Sequence, residues 1–289
     1  MSSAYLLVSH GSRDPRPQLA MEQLAKLISQ RQLAGSINLP EAVSSRALAE
    51  ADRRQIAGNS SSRFKHSISK SAAAGLATPP EEPLVGTACL ELSAEPLHEQ
   101  IKQFGYRVAS RKETRTLTDS NRIQVVPLFL LPGVHVMEDI PAEVARAQQA
   151  LGQEVKIDLR PHLGTHPRLS HLLASMVTTT AAGWILLAHG SRRAGSKQTV
   201  EVIATQLGAV AAYWAMPPKL ELRVKQLVKA GCQQIGILPY FLFAGGITDA
   251  IAQSVEQLKV QFPSTNFQLA EPLGASAELA DLIWDLIEK

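Results

Sequence analysis

The tripeptide His-Gly-Ser occurs twice in the chain, each time directly after a short and unbroken apolar run. His10 follows the apolar residues 4–8, and His189 follows residues 183–188. An apolar run without polar alternation is typical of a strand that is covered on both faces, as in a parallel sheet. In α/β proteins, the loops at the carboxyl ends of such strands carry the ligand sites. We therefore predict an internal duplication of one α/β unit, in which each copy presents an imidazole at a strand end.

Later parts of the chain repeat in the same order. Residues 125–133 resemble residues 237–245, and residues 159–164 resemble residues 269–274. Because the paired segments are long, the pattern predicts two tandem domains rather than a solenoid of short repeats. Amphipathic stretches between the landmarks predict helices that alternate with the strands. We expect an α/β fold of two doubly wound, Rossmann-like or flavodoxin-like domains with small, mostly parallel sheets.

The domain boundaries follow from the spacing of these landmarks. The first domain is expected to span residues 1–180 and the second residues 181–289. The first copy is longer, and the excess is placed at about residues 36–83, a stretch rich in Ser, Ala and Arg without sustained periodicity. Such a stretch inside a compact domain indicates a surface insertion, with a lid over the site as the alternative.

Composition excludes several classes of protein. Hydrophobic content of 45% and charged content of 19% describe an ordinary globular protein, and no apolar run is long enough to span a bilayer. Cys89 and Cys232 lack paired spacing, which argues against a disulfide framework, a zinc knuckle or an iron–sulfur cluster. Arginine is not interleaved with exposed aromatic residues, which makes nucleic acid a poor partner, and the net charge of +3 is compatible with an anionic ligand. We expect a cytoplasmic protein that binds neither membranes nor nucleic acid.

Three side chains in the first copy could carry chemistry. His10, Glu91 and His135 follow three neighbouring strands, whereas the second copy retains only His189 at the equivalent places. Two imidazoles and a carboxylate at one sheet edge could bind a divalent transition metal with open coordination positions. Taken singly, His10 could instead satisfy a loop carbonyl, and Glu91 could be a solvated strand end or a helix-capping carboxylate. Glu95 is a competitor for any acidic role.

The remaining histidines are expected to matter less. His162 and His166 have metal-like spacing, but the intervening Gly164 breaks the helix that would align them. His66 lies in the predicted insertion and His98 on a predicted helix face, and both are expected to be exposed to solvent.

The combination of motifs resembles the sirohydrochlorin chelatases, the class II chelatases that insert Fe²⁺ or Co²⁺ into a reduced tetrapyrrole. The shared segments are His10-Gly11-Ser12-Arg13, Leu90-Glu91-Leu92 before Glu95-Pro96, residues 127–130 leading to Gly133-Val134-His135, Asp139-Ile140-Pro141, and residues 163–167. The resemblance covers nearly the whole chain outside the insertions. The chain resembles the long form of the family, in which both halves are fused in one chain. A monomer is therefore expected, with a dimer as the alternative.

The resemblance implies specific roles and partners. His10 and His135 would handle the metal and the pyrrole protons with help from Glu91, and the two histidines would be the metal ligands. The residues that would hold the carboxylates of sirohydrochlorin are Gly11, Ser12, Arg13, His189, Ser191 and Arg192. No tightly bound cofactor is implied, because the divalent metal ion is itself a substrate, with Fe²⁺ favoured over Co²⁺.

Two other functions remain open on the sequence. The protein could insert nickel or act on another tetrapyrrole, or it could be a carrier that binds tetrapyrrole or metal without turnover. A nucleotide-binding domain is disfavoured, because neither G-x-G-x-x-G nor a Walker sequence is present.

Overall fold

The structure is a computed structural model. It describes residues 4–36, 84–110, 121–177, 181–191 and 195–288. Apart from Ser36, the predicted insertion at residues 36–83 lies outside these ranges, as do His66 and Arg192.

Strands and helices alternate along the described chain. The strands are β1 (Ala4–Ser9), β2 (Val85–Cys89), β3 (Asn121–Pro127), β4 (Val155–Leu159), β5 (Gly183–Ala188), β6 (Ala209–Tyr213), β7 (Gln234–Tyr240) and β8 (Asn266–Leu269). The α-helices are α1 (Pro15–Ser36), α2 (Leu97–Ser110), α3 (Ile140–Leu151), α4 (Leu169–Met176), α5 (Ser196–Gln206), α6 (Leu220–Lys229), α7 (Gly246–Gln261) and α8 (Ala277–Glu288). A π-helical turn covers His135–Asp139, and a 3₁₀ turn covers Leu163–Thr165.

The strands form two parallel four-stranded sheets with the same topology. The first has the order β2-β1-β3-β4 and the second has the order β6-β5-β7-β8. The predicted pair of small, doubly wound α/β units is therefore confirmed. In each sheet the strand order reverses between the first strand and the third, and ligands of doubly wound folds bind outside the carboxyl ends at such a switch point.

Local sequence explains the helix boundaries and faces. In α2 the buried side chains include Leu97, Ile101 and Phe104, spaced at three and four residues as one helix face requires. Helix α3 begins at Ile140 with proline in its first turn and ends at Gly152, whose φ is 58°. Proline fits the first turn of a helix, and glycine tolerates a positive φ at its end.

The two halves share a continuous hydrophobic core. Helix α8, the last of the second half, contacts α1 and β3 of the first half. The rings of Tyr5 and Trp284 meet edge to face with centroids 5.8 Å apart. The hydroxyl of Tyr240 in β7 donates a hydrogen bond of 3.2 Å to the carbonyl oxygen of Leu130, just after β3. These contacts fix the carboxyl edges of the two sheets relative to each other.

Three of the other histidines are partly or fully buried. The prediction that His98 is exposed is wrong: its Nδ1 atom lies 2.7 Å from Glu143 Oε2, and the carboxylate also accepts its backbone N–H. This pairing joins the first turn of α2 to α3, and the His98 side chain is 26% exposed. His162 and His166 are buried in the connection between β4 and α4.

Within the described ranges, no helix is both long enough and apolar enough to cross a membrane.

Candidate active site at the carboxyl edge of the first sheet

The loop after β1 lies directly against the loop after β2. The backbone N–H of Glu91 donates a hydrogen bond of 2.9 Å to the carbonyl oxygen of His10. Gly11 has a φ of 98°, and a Cβ atom at this position would lie 2.0 Å from the carbonyl oxygen of Glu91. Only glycine therefore permits both the backbone conformation and the close approach of the two loops.

The structure brings His10, Glu91 and His135 together at three strand ends. Each can offer a ligand atom within 4.8 Å of the others. Glu91 lies between the imidazoles, with one carboxylate oxygen 3.8 Å from Nε2 of His10 and the other 3.9 Å from Nε2 of His135. The two rings are nearly perpendicular, with centroids 4.9 Å apart. The His10 and Glu91 side chains are each 51% exposed, so the cluster is accessible to a ligand.

This arrangement fits a divalent metal ion with open positions. Imidazole nitrogens and one carboxylate are ligands that suit Fe²⁺, Co²⁺, Ni²⁺ and Zn²⁺. Thiolates would hold such ions more firmly, and neither Cys89 nor Cys232 belongs to the cluster. The donor set can therefore hold a metal ion weakly and also accept protons.

Two residues near the cluster were not among the predicted site residues. Phe129 lies beside both histidines, with its ring centroid 6.5 Å from that of His10 and 6.3 Å from that of His135. The imidazole N–H of buried His162 donates to the carbonyl oxygen of Phe129 at 3.0 Å and so supports this part of the loop. Asp139 contacts Nδ1 of His135 at 2.8 Å. The four-residue spacing of His135 and Asp139 could have indicated that contact, whereas no local signal identifies Phe129.

Backbone hydrogen bonds identify the equivalent positions in the second half. The N–H of Ala215 donates to the carbonyl oxygen of His189, as that of Glu91 does to His10. Ala215 therefore stands where the first half has Glu91. By the matching bonds after β3 and β7, Ile247 stands where the first half has His135. The second half keeps the histidine after its first strand but has neither the carboxylate nor the second imidazole at these places.

The two His-Gly-Ser loops influence each other electrostatically. The pKa of His189 is lowered, first because surrounding protein displaces water from the ring, and then because of the nearby charges of His10 and Lys219. The lowered pKa favours the neutral form of His189, which limits positive charge beside a site for a cation.

An ion pair links the start of α1 to the start of α7 beside this region. The Arg16 guanidinium contacts the carboxylates of both Asp14 and Asp249. Its side-chain hydrogen bond, together with the backbone bond from the same residue, lowers the pKa of Asp14 to about 2. The charged bridge therefore joins the first turn of α1 and Asp14 before it, in the first half, to the first turn of α7 in the second.

The predicted substrate-binding residues lie in the two His-Gly-Ser loops. Ser12 accepts a hydrogen bond of 3.0 Å from the backbone N–H of Asp14, and Arg13 is exposed. The carbonyl oxygen of Ser191 accepts a hydrogen bond from the Ser196 hydroxyl. The roles of Gly11, Ser12, Arg13, His189 and Ser191 toward a substrate stay predictions, and Arg192 lies outside the described residues.

The chain is similar to curated proteins from Priestia megaterium. It is 26% identical over 178 residues to a sirohydrochlorin ferrochelatase, covering 57% of this chain and 66% of the relative. It is 24% identical over 189 residues to a sirohydrochlorin cobaltochelatase, covering 58% of this chain and 60% of the relative. The matched part is thus less than two thirds of the length of either relative.

The fold is shared with a solved structure. SirB from Bacillus subtilis with Fe³⁺ superposes with a TM-score of 0.64 at 20% identity, covering 100% of this chain and 95% of the other.

The CbiX family model matches residues 57–180 and residues 183–289, one stretch in each half. The chain therefore belongs to the CbiX family, which confirms the resemblance to the sirohydrochlorin chelatases.

Proposed function

We propose that the protein inserts a divalent metal ion into sirohydrochlorin, with Fe²⁺ as the favoured ion and Co²⁺ as the second candidate. The observation that carries this proposal is the accessible cluster of His10, Glu91 and His135, whose ligand atoms lie within 4.8 Å of one another. Membership of the CbiX family and the names of the two relatives support the same reaction.

The reaction needs a weakly held metal ion and an acceptor for two pyrrole protons. The imidazoles of His10 and His135 would take the ion from water and release it to the macrocycle, since neutral imidazole binds borderline divalent ions without locking them in place. Glu91 is within 4 Å of both rings, so a proton taken up by either imidazole is stabilised by the carboxylate. General acid–base catalysis of this kind contributes about 10²–10⁴-fold to rates.

The macrocycle would bind between the carboxyl edges of the two sheets. Large apolar side chains are exposed next to the cluster or at its counterpart in the second half: Leu92, Val134, Met137 and Ile247. Exposed apolar surface beside polar groups is typical of a ligand-binding face. On this proposal the first half supplies the chemistry, and Ile247 and Ala215 of the second half supply an apolar wall.

The peripheral carboxylates of the substrate would be held by the two His-Gly-Ser loops. Arg13 is exposed after the first loop, and arginine binds carboxylates with paired hydrogen bonds. Ser12, Ser191, His189 and the backbone after Gly11 would add neutral hydrogen-bond donors. Because both halves share a core, the site does not require a second chain, and we propose that the monomer is active.

An anaerobic metallation assay tests the function. Purified protein is mixed with sirohydrochlorin and either Fe²⁺ or Co²⁺, and the change in pigment absorption is followed against a protein-free control. The proposal expects an initial rate far above that of the control with at least one of the two ions. A protein that binds the pigment without accelerating metallation is a carrier, and that result would overturn the proposal.

The same assay identifies the ion. Equal concentrations of Fe²⁺ and Co²⁺ are supplied together, and the two products are separated and quantified. An excess of the iron product over the uncatalysed ratio supports Fe²⁺. An excess of the cobalt product would replace Fe²⁺ by Co²⁺, and a faster reaction with Ni²⁺ would favour a nickel chelatase.

A further inference from the structure

His135 lies on a π-helical turn that the second half lacks among its described residues. The turn covers His135–Asp139, and its wider ring is closed by the backbone N–H of Ile140, which donates to the carbonyl oxygen of His135. In the second half the chain enters α7 directly at Gly246. The segment from Ile123 to its strand partner Ile157 is also two residues longer than its counterpart from Ile235 to Phe267. Single π turns inside helices occur frequently at functional sites.

The turn places Asp139 against His135 rather than against the helix that follows. Asp139 itself has right-handed helical dihedral angles, φ −68° and ψ −51°, so the backbone passes from the π turn into α3 without a break. Its side chain makes no hydrogen bond to the first turn of α3. Instead its Oδ2 atom lies 2.8 Å from Nδ1 of His135. The Asp139 carboxylate therefore contacts the His135 imidazole and not the backbone of α3.

This contact determines which ring nitrogen carries the proton. An ionised carboxylate only accepts hydrogen bonds, so Nδ1 of His135 must be the N–H donor in the neutral ring. The lone pair then lies on Nε2, which is the atom 3.9 Å from Glu91 Oε1 and on the side of the cluster. Carboxylates that hold the distal nitrogen of metal-binding histidines fix both the tautomer and the ring orientation.

We propose that Asp139 is a positioning residue that holds His135 as the Nδ1–H tautomer and aims its Nε2 lone pair at the metal position. The inference rests on the proposed function in one respect, which is that His135 handles the metal. Asp139 itself stays outside the ligand set and acts through His135.

Asp139→Asn gives the sharpest test, because it preserves shape while adding an N–H₂ donor. The amide can donate to Nδ1 and so favour the opposite tautomer, with the proton on Nε2. Two readouts without tetrapyrrole follow the change. Long-range ¹⁵N–¹H spectra report the tautomer of His135, which is assigned by comparison with His135→Gln, and a Co²⁺ titration followed by absorption reports metal affinity.

The proposal expects wild-type His135 to be the Nδ1–H tautomer. In Asp139→Asn it expects a shift toward Nε2–H and a loss of Co²⁺ affinity of about 10–100-fold. Asp139→Glu, which retains a carboxylate, should recover part of the affinity. Glu154→Gln removes an exposed carboxylate from the same half and should change neither readout.

Three results would overturn the proposal. These are an unchanged tautomer in Asp139→Asn, a changed tautomer with unaltered Co²⁺ affinity, and equal effects of Glu154→Gln. Since the measurements need no pigment, they separate a failure of this inference from a failure of the chelatase function, which only the metallation assay reports.

Discussion

The backbone N–H of Glu91 and the carbonyl oxygen of His10 are joined by a hydrogen bond of 2.9 Å, so the loop after β1 and the loop after β2 act as one unit. The bond sets the distance between the Glu91 carboxylate and the His10 imidazole. Its counterpart in the second half joins Ala215 to His189, where no carboxylate is present. The scaffold is therefore common to both halves, and the difference between them is confined to a few side chains.

Gly11→Ala should break this relationship. The new Cβ atom would lie 2.0 Å from the carbonyl oxygen of Glu91, and a non-glycine residue at φ 98° is strained by about 1–3 kcal/mol. We expect a loss of that size in the free energy of unfolding in urea, and a larger proportional loss of metallation rate. The control is Gly208→Ala, where φ is 65° and no atom lies within 4 Å. It should cost about 1–2 kcal/mol and leave activity intact. Equal activity of the two variants would contradict the account.

Glu91→Gln should lower kcat by about 10²–10⁴-fold, the usual contribution of general acid–base catalysis. The amide cannot stabilise protonated His10 or His135, although it keeps the shape of the side chain. Glu95→Gln is the matched control, since Glu95 is exposed in the same loop and its carboxylate accepts a hydrogen bond from Gln103. Steady-state kinetics should show near wild-type turnover for this control. A greater loss in Glu95→Gln would transfer the acidic role to that residue.

Ile247→Asn should weaken binding of the macrocycle without affecting the metal cluster. Ile247 is 39% exposed at the place where the first half has His135. Loss of its apolar contact should raise KM for sirohydrochlorin about fivefold, which corresponds to roughly 1 kcal/mol. Val260 lies on the same helix, α7, and is 83% exposed, so Val260→Asn should leave KM for sirohydrochlorin unchanged. The idea of an apolar wall fails if both variants have the same KM as the wild type.

The pair of Glu143 and His98 should make stability depend on pH. Burial acts to raise the pKa of the Glu143 carboxyl, but hydrogen bonds from the backbone and the ring of His98 outweigh it and lower the pKa below 4.5. A lowered pKa adds stability above the ordinary carboxyl pKa, and that stability is lost as the pH falls through the folded-state value. Glu143→Gln should therefore cost about 1–2 kcal/mol at pH 7 and less at pH 3.

Urea unfolding at the two pH values measures this difference. Glu256→Gln removes a carboxylate that pairs with Lys259 at the surface and should cost no more than about 1 kcal/mol at pH 7. A penalty for Glu143→Gln that grows as the pH is lowered would contradict the predicted sign.

Much of the fold could be predicted because its signals are local or repeated. The apolar runs of β1 and β5 are buried on both faces, so they lack polar alternation and are recognisable. The repetition of landmarks then implies that the two sheets have the same strand order. Because carboxyl ends of parallel strands share an edge, the proximity of His10, Glu91 and His135 could also be anticipated.

The remainder depends on contacts that no local pattern encodes. His98 is partly buried where it contacts Glu143, which lies 45 residues away on another helix. The four-residue spacing of His135 and Asp139 is visible in the sequence, but the π turn that carries them requires backbone geometry that residue types do not specify. The packing of α8 on the first half likewise follows from tertiary docking, although its apolar stripe is visible in the sequence.

Removing the two equivalent histidines one at a time tests the central claim most directly. His10→Ala and His189→Ala are compared with the wild type in the anaerobic metallation assay, with folding verified by thermal unfolding. If the first half carries the chemistry, His10→Ala abolishes the rate enhancement and His189→Ala retains a substantial part of it. A greater loss in His189→Ala would place the reacting group in the second half and contradict the account.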